Sequence, residues 1–335
     1  MTPSRRARAA LSGAGLMALV LVTFRLTASI PPAPLSPAVP TAIAFLPIIL
    51  VAPSPTPTGT PLPVTPPAAT DWHNVLNYYR ASAHLPAVAE NANWSSGAVN
   101  HAIYMVRNDV LTNSENPATP LYSPEGATEA ANSNLMLSDN VNTTDQQALD
   151  FWMSKPFHAL GMIDPAWLST GFGSFQEDAG QFDRYRMGAV LDVRQGLGAI
   201  PGSVAFPIKW PEHNTTIYLT SYDGNEQPDP LTSCPGYSAP SGLPILVQVG
   251  PGGSNFTVGA HTIQQGNTSQ PHCAFTSTTY TNSIDPGLQS LGRQILAASD
   301  AVVLIPQQPL IHGLSYTVSI VVNGNTLVWT FHVAP

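Results

Sequence analysis

The sequence predicts an α+β unit over residues 70–225 followed by an all-β unit over 226–335. Two observations carry this. Apolar residues recur at helical spacing early in the globular part, and short alternating or apolar runs bounded by turn residues take over later. A third observation bounds the region: 13 prolines crowd residues 31–69, separating it from an apolar N-terminus.

The first 30 residues read as a signal peptide or an N-terminal anchor. MTPSRRARAA supplies a positive start, and Leu11–Phe24 is an apolar run of 14 residues, long enough for a signal core and short for a membrane span. The Pro-rich linker over 31–69 reads as an extended spacer, interrupted by the apolar patch Ala42–Val51. The rest of the chain is therefore expected outside the cytoplasm, secreted or tethered to the cell surface. Contact with a membrane is expected only through the N-terminal segment, if it stays uncleaved.

In the first unit, Thr70 or Asp71 caps a helix in DWHNVLNYYRASAHL, with Trp72, Val75, Leu76 and Tyr79 on one face. A second helix runs from about Trp94 to Val110 and gathers Ala98, His101, Ala102 and Met105. A third follows Thr143–Asp145 and stops where Pro156 forbids continuation. Strands are expected at 171–175, at 185–193 with a break at Gly188, and at 215–220.

In the second unit, YDGNEQPDPLTSCPGY reads as the boundary. Strands are expected in LPILVQVG, NFTVGAHTI, AVVLIPQ, YTVSIVVNG and TLVWTFHV, the last two joined by a turn at Asn323-Gly324-Asn325. Cys234 and Cys273 form one disulfide in an exported chain, the alternative being two free thiols.

Charge excludes some functions. Acids number 20 against 12 basic residues, only Lys155 and Lys209 are lysines, and the first 70 residues contain no acid. The globular part is acidic and has no basic patch for a phosphate backbone, so nucleic acid is excluded as a partner. There is no HExxH, no GxSxG and no cysteine in the first unit, which removes the common hydrolase signatures.

Three segments in order resemble the CAP superfamily of cysteine-rich secretory, antigen 5 and pathogenesis-related proteins, in its bacterial form. They are LNYYRASAHLPAV, HAIYMVRNDVLTNSE and FWMSKPFHALGMIDPAWLSTGFG. The resemblance implies an α-β-α sandwich. The ending HGLSYTVSIVVNGNTLVWTFHV is similar to the last hairpin of immunoglobulin-like domains, which implies an immunoglobulin-like β-sandwich for the second unit.

Family resemblance also implies a cleft lined by two histidines and two acids, which in some members binds a divalent cation. His158 falls on the second histidine, and Asn113 stands where the first belongs. An amide oxygen is a poor ligand beside imidazole, so Asn113 weakens a zinc or calcium site. The family's Gly-Glu-Asn-Ile is absent. Its nearest equivalent, PEGATEAANSNL, makes Glu129 and then Glu125 the acid candidates, with His158 and Glu129 as the metal pair.

Glu115 and His101 are candidates from local sequence. Each residue also has a structural role open to it: His101 as a buried core histidine, Glu115 as a surface acid, Glu129 as a first-turn acid and His158 as a loop histidine. No catalytic residue is assigned. The chain reads as a binding or effector module for an extracellular ligand or surface component. The alternatives are a metal-assisted hydrolase of an extracellular polymer or peptide, and a structural surface protein with a degenerate cleft.

Overall fold

The computed structural model describes residues 71–178 and 184–335. The expected signal segment and the expected Pro-rich linker lie outside the described residues. Among the described residues no helix is long and apolar enough to cross a membrane.

Helix α1 (Trp72–Ala81) begins where Asp71 accepts from the backbone N–H groups of His73 and Asn74. Its buried face is Val75, Leu76 and Tyr79. Arg80 is also buried, and its guanidinium donates to the carbonyls of Pro86, Met162, Asp164 and Trp167. Strand β1 (Ala89–Glu90) leads to α2 (Ala92–Asn108), then α3 (Pro124–Asn132) and β2 (Ser133–Ser138). Helix α4 (Asp145–Met153) starts with a capping box between Thr144 and Gln147, a motif of about 1 kcal/mol. Then come α5 (Pro156–Met162), β3 (Ser169–Thr170), β4 (Phe172–Gln176) and β5 (Met187–Asp192).

Strands β2, β5 and β4 form an antiparallel sheet covered on both faces. Alternation decides which side chain goes where. Leu135, Leu137, Val190 and Phe175 pack with Ala98, Ala102 and Met105 of α2. Met136, Met187, Ala189 and Leu191 face the cluster that includes α1, α4 and α5. Trp152 of α4 is fully buried and donates its indole N–H to Leu135 O at 3.2 Å. The result is α+β with helices on either side of a sheet. Gly188 does not break β5: it lets α2 approach, since a Cβ there would lie 3.0 Å from Val106 Cγ2.

The later strands are β6 (Ile208–Trp210), β7 (Thr216–Ile217), β8 (Ser221–Tyr222), β9 (Ser241–Gly242), β10 (Ile245–Gln248), β11 (Val258–Gln265), β12 (Thr268–Ser269) and β13 (His272–Thr276). Helix α6 (Pro286–Ala298) and strands β14 (Ala301–Pro306), β15 (Ser315–Val322) and β16 (Asn325–Val333) complete the chain. Two larger sheets result, ordered β13-β14-β10-β6 and β12-β11-β15-β16-β7, and β8 pairs with β9 in a third. Their apolar side chains, among them Leu246, Val303, Val318 and Trp329, join the cluster that contains α1, α4 and α5. Cys234 and Cys273 are disulfide-bonded.

Several sequence expectations change here. The second unit is not all-β, because the 13-residue helix α6 sits between its strands. Strands β10 and β14 are buried along their whole length, and α5 and α6 pack against that sheet. The expected strand at 215–220 is the short β7, which pairs in parallel with β16 rather than with the first sheet. β6 likewise pairs with β10. Both later sheets therefore reach across the 225/226 boundary. Pro156 ends one helix but also opens another, since its missing N–H and fixed φ suit the first helical position.

Candidate functional site

His158 lies in the first turn of α5, not in a loop. Lys155 caps that helix without a side-chain hydrogen bond, and the acceptor comes from much later in the chain. Glu226 Oε1 accepts the backbone N–H of Phe157 at 2.9 Å and of His158 at 3.0 Å, and the His158 ring Nδ1 at 2.9 Å. A carboxylate only accepts, so Nδ1 carries the proton and the neutral ring keeps its lone pair on Nε2. Among the described residues Nε2 has no hydrogen-bond partner, and the side chain is 23% exposed. Glu226 itself is buried, and its Oε2 has no partner.

The same loop makes a second attachment. The Lys155 ammonium is buried, faces the rings of Phe151 and Tyr222 at 4.0 and 5.4 Å, and pairs with the exposed Asp223 carboxylate. Phe157 packs edge-on against Tyr280 and stacks near Phe275, and the Gln248 amide donates to Ile163 O at 3.1 Å. Tyr222–Glu226, expected as a boundary, is thus docked onto the α4–α5 junction. Sequence reasoning missed Glu226. No local sequence signal marks it, because the groups it binds lie about 70 positions upstream.

Glu129 occupies the second half of α3, so it is not a first-turn acid; that position belongs to Glu125, which is exposed. Glu129 is buried at 2% exposure, and its Oε1 accepts the Gln195 amide at 2.8 Å. That amide also donates to Asp192 Oδ2 at 2.6 Å, while Asp192 Oδ1 accepts the backbone N–H of Arg194 and Gln195. Burial, with a smaller push from the Asp192 charge, raises the Glu129 carboxyl to about 7. Burial raises Asp192 as well. Ser133 lies near enough to ease the Glu129 charge, yet its Oγ and Glu129 Oε2 both lack a hydrogen bond of normal geometry.

His101 and Glu115 form a third set, with both side chains fully buried. Nδ1 is 2.9 Å from Glu115 Oε1, Nε2 is 2.9 Å from Thr112 O, and Glu115 Oε2 accepts the Ser123 N–H. Both ring nitrogens face oxygen acceptors. Glu115 is accordingly not a surface acid; it ties α2 to the start of α3. Asn113 is exposed and donates to Ala130 O at 3.2 Å.

The candidate residues thus fall into separate sets. His158 engages Glu226, Glu129 engages Gln195, and His101 engages Glu115. Among the described residues no hydrogen bond or ion pair joins His158 to Glu129. Among the described residues no three His, Cys, Asp or Glu side chains gather as a metal-holding group. A free Nε2 set by a carboxylate has the second-shell form of a ligating histidine. One such nitrogen falls short of the three protein ligands of a catalytic zinc site, so the residues do not fit that group. A shallow groove of about 430 Å³ runs along α6 past Ser277, Gln289 and Arg293, and none of the candidate residues lines it.

Residues 73–190 match the model of the cysteine-rich secretory protein family, CAP, and that segment contains the sheet and the helices around it. The match spans about a third of the chain and supports the CAP superfamily: the protein carries a CAP domain. No curated protein matches the chain.

Proposed function

We propose that this CAP-domain protein is an exported or surface-tethered binding module, of bacterial type, that presents His158 Nε2 to an extracellular ligand. The observation that carries this reading is the pairing of His158 with the buried Glu226, which orients the ring and leaves its second nitrogen unpartnered. An acceptor nitrogen at the surface of an acidic protein suits a neutral or cationic ligand with hydroxyl or amine donors. The strands after residue 226 serve as an immunoglobulin-like spacer, with α6 added to one sheet.

The test is titration of the full chain with peptidoglycan fragments and with short peptides, following the His158 ring by NMR. Saturable binding that shifts the His158 signals and is lost in His158→Ala supports the proposal. Binding that persists unchanged in His158→Ala overturns it, as does the absence of any saturable binding to either class. A metal-assisted hydrolase predicts something further: turnover of those polymers that vanishes in the same variant.

A further inference from the structure

The chain after Asp229 is almost without charge. Its only Asp, Glu, Lys or Arg side chains are Asp285, Arg293 and Asp300, and Arg293 is the sole Lys or Arg after Lys209. Both acids are spent on backbone groups. Asp285 caps α6 by accepting the N–H of Gly287 and Leu288 at 2.8 and 3.0 Å. The buried Asp300 accepts those of Gly252 and Ser254 at 3.1 and 2.8 Å. Among the described residues Arg293 therefore has no carboxylate paired with it.

The guanidinium is nonetheless held in place. Its Nε donates to Tyr280 O at 2.8 Å, while Nη1 and Nη2 have no hydrogen-bond or ion-pair partner among the described residues. Tyr280 is fully buried and lies close to α6 because residue 292 is glycine, where a Cβ would stand 2.5 Å from Tyr280 Cε1. A half-buried fork fixed through Nε keeps two terminal amino groups, the pair that grips a carboxylate through parallel hydrogen bonds.

Arg293 lines the groove of about 430 Å³ along α6, a volume within the range of small-ligand sites. Pro286, Gln289, Ser290, Arg293, Gln294 and Ala297 form its helical wall, spaced as one face of one helix. Ser277 joins them from the turn after β13, and no acid and no aromatic ring lines the groove. Gln289 Oε1 accepts the Asn282 N–H at 2.8 Å, which leaves its amide N–H groups unpartnered among the described residues. Ser290 Oγ accepts the Gln294 amide at 3.1 Å and keeps its own O–H to donate. Hydrogen-bond donors thus surround one uncompensated cation.

We propose that the α6 groove binds the free C-terminal carboxylate of a short extended peptide, gripped by Arg293. The Gln289 amide and the Ser277 and Ser290 hydroxyls bond the last backbone groups of that peptide. One guanidinium balances one negative charge, and no second cation is present for a phosphate dianion. The helix rises ~16 Å from Pro286 to Ala297, the length of about five extended residues. Apolar Pro286 and Ala297 end the stripe, and Ile284, 88% exposed, stands two residues before Pro286 as a contact for peptide side chains. A sugar acid finds no aromatic face there to lie on.

The test is calorimetric titration of the full chain with an acetylated tripeptide of alanine, as free acid and as C-terminal amide, beside Arg293→Gln and His158→Ala. The proposal expects saturable binding of the acid, at least ten-fold weaker for the amide and in Arg293→Gln, and unchanged in His158→Ala. Glucuronate and inorganic phosphate should each bind at least ten-fold more weakly than the peptide acid. No saturable binding of the acid up to ~10 mM, equal binding of the amide, or survival in Arg293→Gln overturns the proposal. So does loss of binding in His158→Ala, or binding of glucuronate or phosphate as tight as that of the peptide. If Arg293→Gln does not fold, NMR of the native chain decides. Amide signals that move with the acid but not the amide support the site if centred on 286–297 and refute it if centred elsewhere.

Discussion

Replacing Glu129 with Gln removes a charge that the fold buries at a cost, while keeping an oxygen to accept the Gln195 amide. The folded carboxyl ionises near 7, above its ordinary value of 4.5. For an acid raised in this way, the folded state holds the proton more tightly than the unfolded chain. Stability from this group is therefore greatest below pH 4.5, declines as pH rises, and is fully lost above about pH 7. The rise from 4.5 to about 7, at ~1.36 kcal/mol per pH unit, sets an upper limit of ~3.4 kcal/mol. Glu129→Gln should be more stable than the native protein at pH 8 by up to that amount, with the gap closing toward zero at pH 4.5. Urea unfolding of both proteins across pH 4.5–8 reads it directly, since groups uncoupled from Glu129 cancel in the difference and only Asp192, which shares the Gln195 amide with it, adds to the signal. A variant no more stable than the native protein at pH 8, or a gap independent of pH, would refute the reasoning.

Other perturbations probe how the chain after residue 200 is fastened to the CAP domain. Asp223→Asn strands a buried ammonium and should cost about 1–3 kcal/mol, whereas Lys155→Met removes both charge and need and should be close to neutral in chemical denaturation. Tyr79 and Tyr218 both donate to Asp150, whose carboxyl burial raises, so Tyr218→Phe should lower stability by about 1 kcal/mol and lower the melting temperature accordingly. Reducing Cys234–Cys273 releases a loop of 39 residues' separation and should cost roughly 4 kcal/mol, read as a shift in urea midpoint with and without reductant.

Much of the CAP domain was legible because its periodicities are local. Val75, Leu76 and Tyr79 mark a helix face by spacing alone, and Thr143–Asp145 mark a helix start. The AVVLIP run of β14 is apolar at every position, which demands cover on both faces, and that cover is where α6 was overlooked. β2 was missed because SNLMLS has only three apolar residues, and its pairing partner lies some fifty residues later. Glu226 is legible only in three dimensions: its value depends on α5 beginning at a proline with no cap of its own, 70 positions upstream. His158 could be picked from family spacing, but its partner could not, because the docking loop lies beyond the family match at 73–190.

Glu226 fixes His158 with its proton on Nδ1 and its lone pair on Nε2. Long-range proton–nitrogen NMR of the imidazole at neutral pH tests it, on the native chain and on Glu226→Ala. The account predicts a protonated-type Nδ1 and an unprotonated-type Nε2 in the native protein, with the preference lost in the variant. A native His158 protonated on Nε2, or one whose tautomer ignores Glu226, would contradict it.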